Sequence, residues 1–301
     1  MHIYAPYITY IIRYQSEQNI KARISEVTMK KLIIFLLIIR LTNVFSSSAV
    51  GEIPDNCIGT STQHTLTTPY NWYFRKTIDH TQPSLDALFH FTKDCDAYFI
   101  DNNHTDYSSD DKVIYLTFDA GYENGNVKKT LDILKENNVP GAFFVLENLI
   151  KKNPDLIKRM NDEGHLVCNH TATHKDMSKV TSEDDFCTEL ERLNKVCLEE
   201  TGVKIAPYYR PPEGRFSELN LRHATKAGYK TIFWSFAYVD WEENKQPSHE
   251  DAMDKIINNL HNGEIMLLHA TSKTNSEIMD DMIKKIYEEG YEIKSIEDFV
   301  R

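Results

Sequence analysis

Six chemically capable side chains stand where apolar runs end. Asp119 closes "VIYLTF", and His170 and His174 follow "HLVCN" in "NHTATH". Arg210 follows "APYY" in "YRPPEG", Asp240 comes after "TIFWSF", and His269 ends "EIMLLH". Taken singly, each has an ordinary structural explanation: Asp and Gly favour turns for local reasons, and a lone histidine is more often a hydrogen-bonded framework group. Taken together they form a working set. Two imidazoles four residues apart lie on one face of a helical turn, a common start for a zinc site. An acid and a third histidine are the types that general base and general acid catalysis require, and an arginine can hold a carboxylate ionised through a charge-assisted bond.

These residues share a face only if the elements before them are parallel strands. From Asp111 onward the pattern alternates: "VIYLTF", "AFFVL", "HLVCN", "APYY", "TIFWSF", "EIMLL" and "YEIKSI" read as seven strands. Helical segments lie between them. Asn126 to Asn138 carries Val127, Leu131 and Leu134 on one face, and Asn153-Pro154 opens the next in the cap-then-proline arrangement. Ser182 starts a helix with Phe186, Leu190, Leu193 and Cys197 in one stripe, ending at Gly202. Ser217 to Ala227, Ser248 to His261 and Ser276 to Glu289 complete the series. Such alternation predicts an α/β fold with a mostly parallel sheet and helices outside it. Seven βα units point to a closed or nearly closed barrel, with an open doubly wound sheet as the other topology. In a barrel, functional groups gather at the carboxyl ends of the strands, which is where the six residues fall.

Residues 50–110 lack the alternation and carry "NWYFRKTIDHTQPSLDALFHF", with one helix at the end. No Gly/Ser-rich linker separates them from residues 111–301, so they are expected to pack on the barrel's side as an extension. Further upstream, "MKKLIIFLLIIRLTNVFSSSAVG" has the layout of a secretory signal peptide over residues 29–49, with a cut after Ala49. Its apolar run, residues 32–39, is short for a bilayer span and Arg40 interrupts it; an uncleaved membrane anchor is the competing reading. Either one places the protein outside the cytoplasmic membrane. Residues 1–28 read as a translated upstream region, with Met29 as the start.

The chain of 301 residues has a formal net charge of -11 and no Lys/Arg-rich block in its globular part. That argues against nucleic acid as a partner, because phosphate neutralisation needs a basic face; an uncharged or locally neutral substrate suits an acidic enzyme better. The five cysteines, Cys57, Cys95, Cys168, Cys187 and Cys197, match neither a metal knuckle nor a dense disulfide framework and read as packing residues.

The ordered set "TFDAGYENG", "HTATH", "RPPEG", "FWSFAYVDW" and "LLHA" resembles the five motifs of the NodB-type polysaccharide deacetylases, carbohydrate esterase family 4. More narrowly, "WYFRK" and "FWSFAYVDWEENKQPS" resemble the delta-lactam-biosynthetic N-acetylmuramic acid deacetylases of spore-forming bacteria. The resemblance implies an irregular (β/α)7 barrel and a peptidoglycan N-deacetylase, expected to be a monomer, with roles for each residue. Asp119 would be the general base, held by Arg210; His170 and His174 the metal ligands; His269 the acid, kept protonated by Asp240. The backbone N–H of Glu213 would donate to the oxyanion, its loop restricted by two prolines. Trp241 and Tyr122 would contact the sugar, although core packing explains Trp241 equally well. One position departs from the family: most members carry a second acid after the base that ligates the metal, and here Ala120 stands there. Two protein ligands would remain where catalytic zinc usually has three. Zn2+ is the default ion, with Mn2+, Co2+ or Mg2+ as alternatives. Other glycans (N-acetylglucosamine in peptidoglycan, chitin, acetylxylan) and a glycan-binding protein without catalysis are the rival functions.

Overall fold

The structure is a computed structural model that describes residues 66–300. The leader, the upstream segment and Cys57 lie outside the described residues. In chain order, β1 (Tyr70–Asn71) is followed by a 3-10 helix (Ala87–Cys95), β2 (Ala97–Tyr98), β3 (Lys112–Ala120), α1 (Asn126–Glu136) and β4 (Ala142–Val145). Then come α2 (Glu147–Lys152), α3 (Pro154–Asp162), β5 (Leu166–Asn169), α4 (Glu183–Thr201), β6 (Ala206–Tyr209) and β7 (Arg215–Phe216). The chain continues through α5 (Glu218–Lys226), β8 (Lys230–Ile232), β9 (Phe236–Ala237), α6 (His249–Ile257), β10 (Glu264–His269), α7 (Lys273–Glu288) and β11 (Tyr291–Ile293).

The main sheet runs β2-β8-β6-β5-β4-β3-β10-β9, with β11 also pairing with β3. Every pairing within it is parallel. β3 is buried along almost its whole length, as expected for a strand covered on both faces. Its Phe118 stacks on Phe143 of β4 at 4.8 Å between ring centroids. Burial of a side chain of that size contributes about 2–3 kcal/mol. Helix stripes complete the layer outside the sheet, among them Val127, Leu131 and Leu134 of α1 and Ile278, Met282 and Ile286 of α7.

The expected barrel is present as a curled half-barrel. "TIFWSF" does not form one strand. β8 lies between β2 and β6 while β9 pairs with β10 at the other end of the sheet, so Phe233–Ser235 carries the chain across the open side of the half-barrel. A continuous apolar run gives no local sign of this switch, because its residues are buried on either route. Residues before Asp111 share the same sheet: β2 pairs with β8 at its edge, and β1 forms a separate antiparallel pair with β7.

Three helices differ from the periodicity, and among them α6 stops at Ile257, short of the expected His261. α7 begins at Lys273, capped by Ser272, whose hydroxyl accepts the Asn275 N–H; the polar residues 273–275 hide that turn from a hydrophobic count. α2 is too short to show a period. The remaining N-caps fall where Ser182, Ser217 and Ser248 predict them, each accepting a backbone N–H three residues on. Cys95, Cys168 and Cys197 are buried free thiols and Cys187 is half-buried, which suits packing residues.

Candidate active site

Strand register brings the distant residues level. Asp119 pairs with His269 across β3 and β10, and Asn169 pairs with Tyr209 across β5 and β6, so the residues immediately after them, His170 and Arg210, leave the sheet on the same rim. A cavity of about 620 Å³ opens there, lined by Asp119, His170, His174, Glu213, Tyr122, Trp241 and His269 together with Trp234 and Ala120. Arg210 and Asp240 lie behind it, fully buried.

The two buried charges are fixed from several sides. Arg210 donates from Nη1 to Asp119 Oδ1 at 2.9 Å, from Nη2 to Thr117 Oγ1 at 2.8 Å and from Nε to the Ile232 carbonyl at 2.9 Å. Its guanidinium also lies 4.1 Å from the Phe144 ring centroid, a favourable cation–π contact. Asp240 Oδ1 meets His269 Nδ1 at 2.7 Å, and Oδ2 accepts from the His269 N–H at 2.8 Å and from Asn275 Nδ2 at 2.6 Å. His269 Nδ1 is therefore committed to Asp240, and Nε2 is the nitrogen left for the cavity.

These partners push the two titrating groups apart. Burial alone raises the Asp119 carboxyl, but the charges of His170, Arg210 and His269 outweigh it and hold it below the usual carboxylate range. Burial pushes His170 down to about 4. Its ring is then neutral near pH 7, and Arg210 and His269 supply the charge that keeps Asp119 ionised. Burial also acts to lower His269; the Asp240 carboxylate outweighs it and raises the imidazole above the ordinary histidine value. A carboxyl whose ionised form is favoured and an imidazole whose protonated form is favoured thus face one cavity.

His170 and His174 do not sit on a helical turn. Residues 170–174 form a loop in which Thr171 and His174 have φ of +70° and +58°, so four-residue spacing brings them together by another route. Their ring centroids are 5.1 Å apart. Left-handed geometry costs a non-glycine residue about 1–2 kcal/mol and persists only where neighbours over-determine it. Here Asn169 Oδ1 accepts the Thr171 N–H, Thr171 Oγ1 accepts the His174 N–H, and the buried Glu189 of α4 accepts the Thr173 N–H and hydroxyl. Glu189 also pairs with Lys175 at 3.0 Å. Sequence reading missed Glu189, whose partners lie in another motif, Thr117, which acts through an inconspicuous hydroxyl, and Asn169, whose turn with Thr171 is local and was legible in "NHTATH".

The donor set suits a divalent cation. His170 Nδ1 donates to the Arg210 carbonyl at 2.8 Å, which fixes the tautomer and leaves Nε2 bare toward the cavity, 3.5 Å from Asp119 Oδ2. His174 supplies the second imidazole. Among the described residues no three His, Cys, Asp or Glu side chains converge as a complete ligand set, in keeping with Ala120, which lines the cavity beside Asp119 with no donor.

Of the predicted sugar contacts, Trp241 is 53% exposed and Tyr122 42%. Trp241 is thereby a cavity wall and not core, its ring 5.5 Å from that of His269. Glu213 stands in the left-handed region at φ +55°, its carboxylate turned outward to Arg215 Nε at 3.2 Å.

Residues 106–232 match the family model described as "Polysaccharide deacetylase". Over 233 residues the chain is 41% identical to the peptidoglycan-N-acetylmuramic acid deacetylase PdaA of Bacillus subtilis, covering 77% of this chain and 86% of that one. The chain belongs to the polysaccharide deacetylase family. The solved structure of Bacillus subtilis PdaA, a family 4 carbohydrate esterase, superposes with a TM-score of 0.72 at 40% identity, over 77% of this chain and 97% of that chain. A family 4 carbohydrate esterase from Bacillus anthracis superposes at 0.63 with 35% identity, over 78% and 97%. A CE4 family pseudoenzyme from Bacillus anthracis matches at 0.60 with 26% identity, over 68% and 69%. Polysaccharide deacetylases of this esterase family are generally metal-dependent.

Proposed function

We propose that this deacetylase removes the N-acetyl group from N-acetylmuramic acid in peptidoglycan, using a divalent metal held by His170 and His174. The observation that carries the reading is the pair of groups facing one cavity, Asp119 bonded to Arg210 and lowered in pKa, and His269 bonded to Asp240 and raised. Amide hydrolysis needs that combination, a base for water and an acid for the departing amine. The 41% identity to a muramic acid deacetylase supports the choice of sugar.

Zn2+ at the two imidazoles, or Mn2+, Co2+ or Mg2+, would polarise the acetyl carbonyl and acidify a water. Asp119, fixed by Arg210, takes the proton of the attacking water. The Glu213 N–H donates to the carbonyl oxygen as negative charge develops on it. His269 Nε2 then gives its proton to the sugar nitrogen as the C–N bond breaks, and the imidazolium is stabilised until that moment by Asp240. Acetate and the free amine leave. Trp241 and Tyr122 flank the sugar.

Where an amidase has already removed the stem peptide, the freed amine can close onto the lactyl carboxyl with loss of water, giving the muramic delta-lactam of spore cortex. The 29–49 leader supports a site of action outside the cytoplasmic membrane. Purified protein with Zn2+ should release acetate from peptide-free glycan strands, and Asp119→Asn should abolish it; equal release by both would refute the assigned base. Digested walls containing glucosamine and no muramic lactam would move the substrate to N-acetylglucosamine. Ala120 and the pseudoenzyme neighbour favour a second reading, glycan binding without turnover. Glycan retention with no acetate release under any divalent metal would establish it.

A further inference from the structure

We infer that the N-terminal extension is a working part of the active site, and that Trp72 is a positioning residue for the backbone N–H of Glu213. The inference rests on the deacetylase reading, in which that N–H faces the oxyanion. Residue 72 lies outside the segment 106–232 that matches the family model.

The loop needs outside support. Glu213 and Gly214 are consecutive left-handed residues, at φ +55° and +64°, and a glutamate gains nothing locally from that conformation. The two prolines before them fix their own φ and leave ψ and the following residues free. Within the loop, the Gly214 N–H donates to the Pro211 carbonyl at 3.0 Å and the Arg215 N–H to the Pro212 carbonyl, and neither bond involves the Glu213 N–H or the Gly214 carbonyl.

The extension supplies the rest. The Trp72 N–H donates to the Gly214 carbonyl at 2.8 Å, continuing the antiparallel ladder in which Tyr70 faces Phe216 and Asn71 faces Arg215. The indole Nε1–H donates to the Trp234 carbonyl at 2.9 Å, and the ring stacks on Phe233 at 4.3 Å with an interplanar angle of 17°. A Cβ at position 214 would come within 2.8 Å of the Trp234 ring and 3.1 Å of Trp72 Cβ. The loop is therefore pressed against both tryptophans, and only glycine fits there. Trp72 thus ties the oxyanion loop to the Ile232–Trp234 segment, whose carbonyls also seat Arg210. A few tenths of an ångström of slack at Glu213 weakens a hydrogen bond that matters only in the transition state.

The test compares wild type, Trp72→Phe and Trp72→Ala with Zn2+ and peptide-free glycan strands. Phe keeps the stack and loses the Nε1 bond; Ala loses both. Complete loss of an oxyanion donor costs about 10²–10³ in kcat, so a mis-set donor should lower kcat about tenfold or more in Trp72→Ala and several-fold in Trp72→Phe. KM should stay within about twofold, and zinc affinity by calorimetry should not change. Hydrogen exchange over residues 211–216 should rise in the same order. If Trp72→Ala does not fold, Trp72→Phe carries both measurements. Folded variants with wild-type kcat and wild-type exchange would overturn the inference, as would a rise in KM with kcat unchanged. A wild type that releases no acetate would instead refute the deacetylase reading, and the exchange experiment would still judge the clamp.

Discussion

Replacing Asp240 by Asn probes the acid without touching the cavity wall. In the wild type, one oxygen of Asp240 meets His269 Nδ1 and the other accepts two N–H donors, from His269 and Asn275. Asn has one acceptor and one NH2 group. If its oxygen serves the two N–H donors, its NH2 faces Nδ1 and forces that nitrogen to be unprotonated. If it is turned the other way, the NH2 points at two donors. The first orientation disfavours the imidazolium directly, the second sets donors against one another, and in both the negative charge is gone. Two unit charges about 4 Å apart in an effective dielectric of about 20 attract by about 4 kcal/mol, and the imidazolium loses that attraction. Burial, no longer opposed, pulls the same way. His269 should then titrate well below the ordinary histidine value of about 6.5.

A raised histidine pKa keeps the acid available, and its ion pair stabilising, below the unfolded value; both are lost as pH rises through the folded value. The alkaline limb of kcat for acetate release, measured from pH 5 to 9 with saturating Zn2+, should move to lower pH in Asp240→Asn. At pH 8 the loss should be about 100-fold or greater, narrowing toward pH 5. Zinc affinity should be unaffected, because Asp240 faces away from His170 and His174. An alkaline limb that stays in place, or moves upward, would show that His269 is not the proton donor or that Asp240 does not control it.

Glu189→Gln keeps the side chain's size and removes the charge that holds Thr173 and Lys175, so the histidine loop should relax and zinc affinity by calorimetry should fall about tenfold, within the 10–100-fold range for groups that orient ligands; unchanged affinity would mean the loop holds its left-handed residues unaided. Ala120→Asp supplies the missing acid beside Asp119 and should tighten zinc binding at least tenfold by completing three protein ligands; weaker binding would show that the second carboxylate repels Asp119 more than it serves the ion.

What the sequence alone determined was local in origin. Strand-like runs, serine caps and a proline-opened helix follow from side-chain period and hydrogen-bonding capacity, and they are legible one segment at a time. The six strand-end residues were legible too, since the strands are parallel and their carboxyl ends meet on one rim although the strands run from 2 to 9 residues. Tertiary structure decided the rest, because each remaining feature depends on a partner distant in the chain. The imidazoles meet through a loop locked by Asn169 and Glu189, whereas i,i+4 spacing had pointed to a helical turn. "TIFWSF" divides between two sheet edges because different neighbours, β6 and β10, claim its two ends. Trp241 is a wall because Asp240 is drawn inward beneath it to reach His269, and no count of hydrophobic residues registers that. Nor does anything near residue 72 say that its N–H ends on Gly214, more than a hundred residues away. Hydrogen bonds of that reach form only when the sheet curls, and the curl is a property of all the strands together.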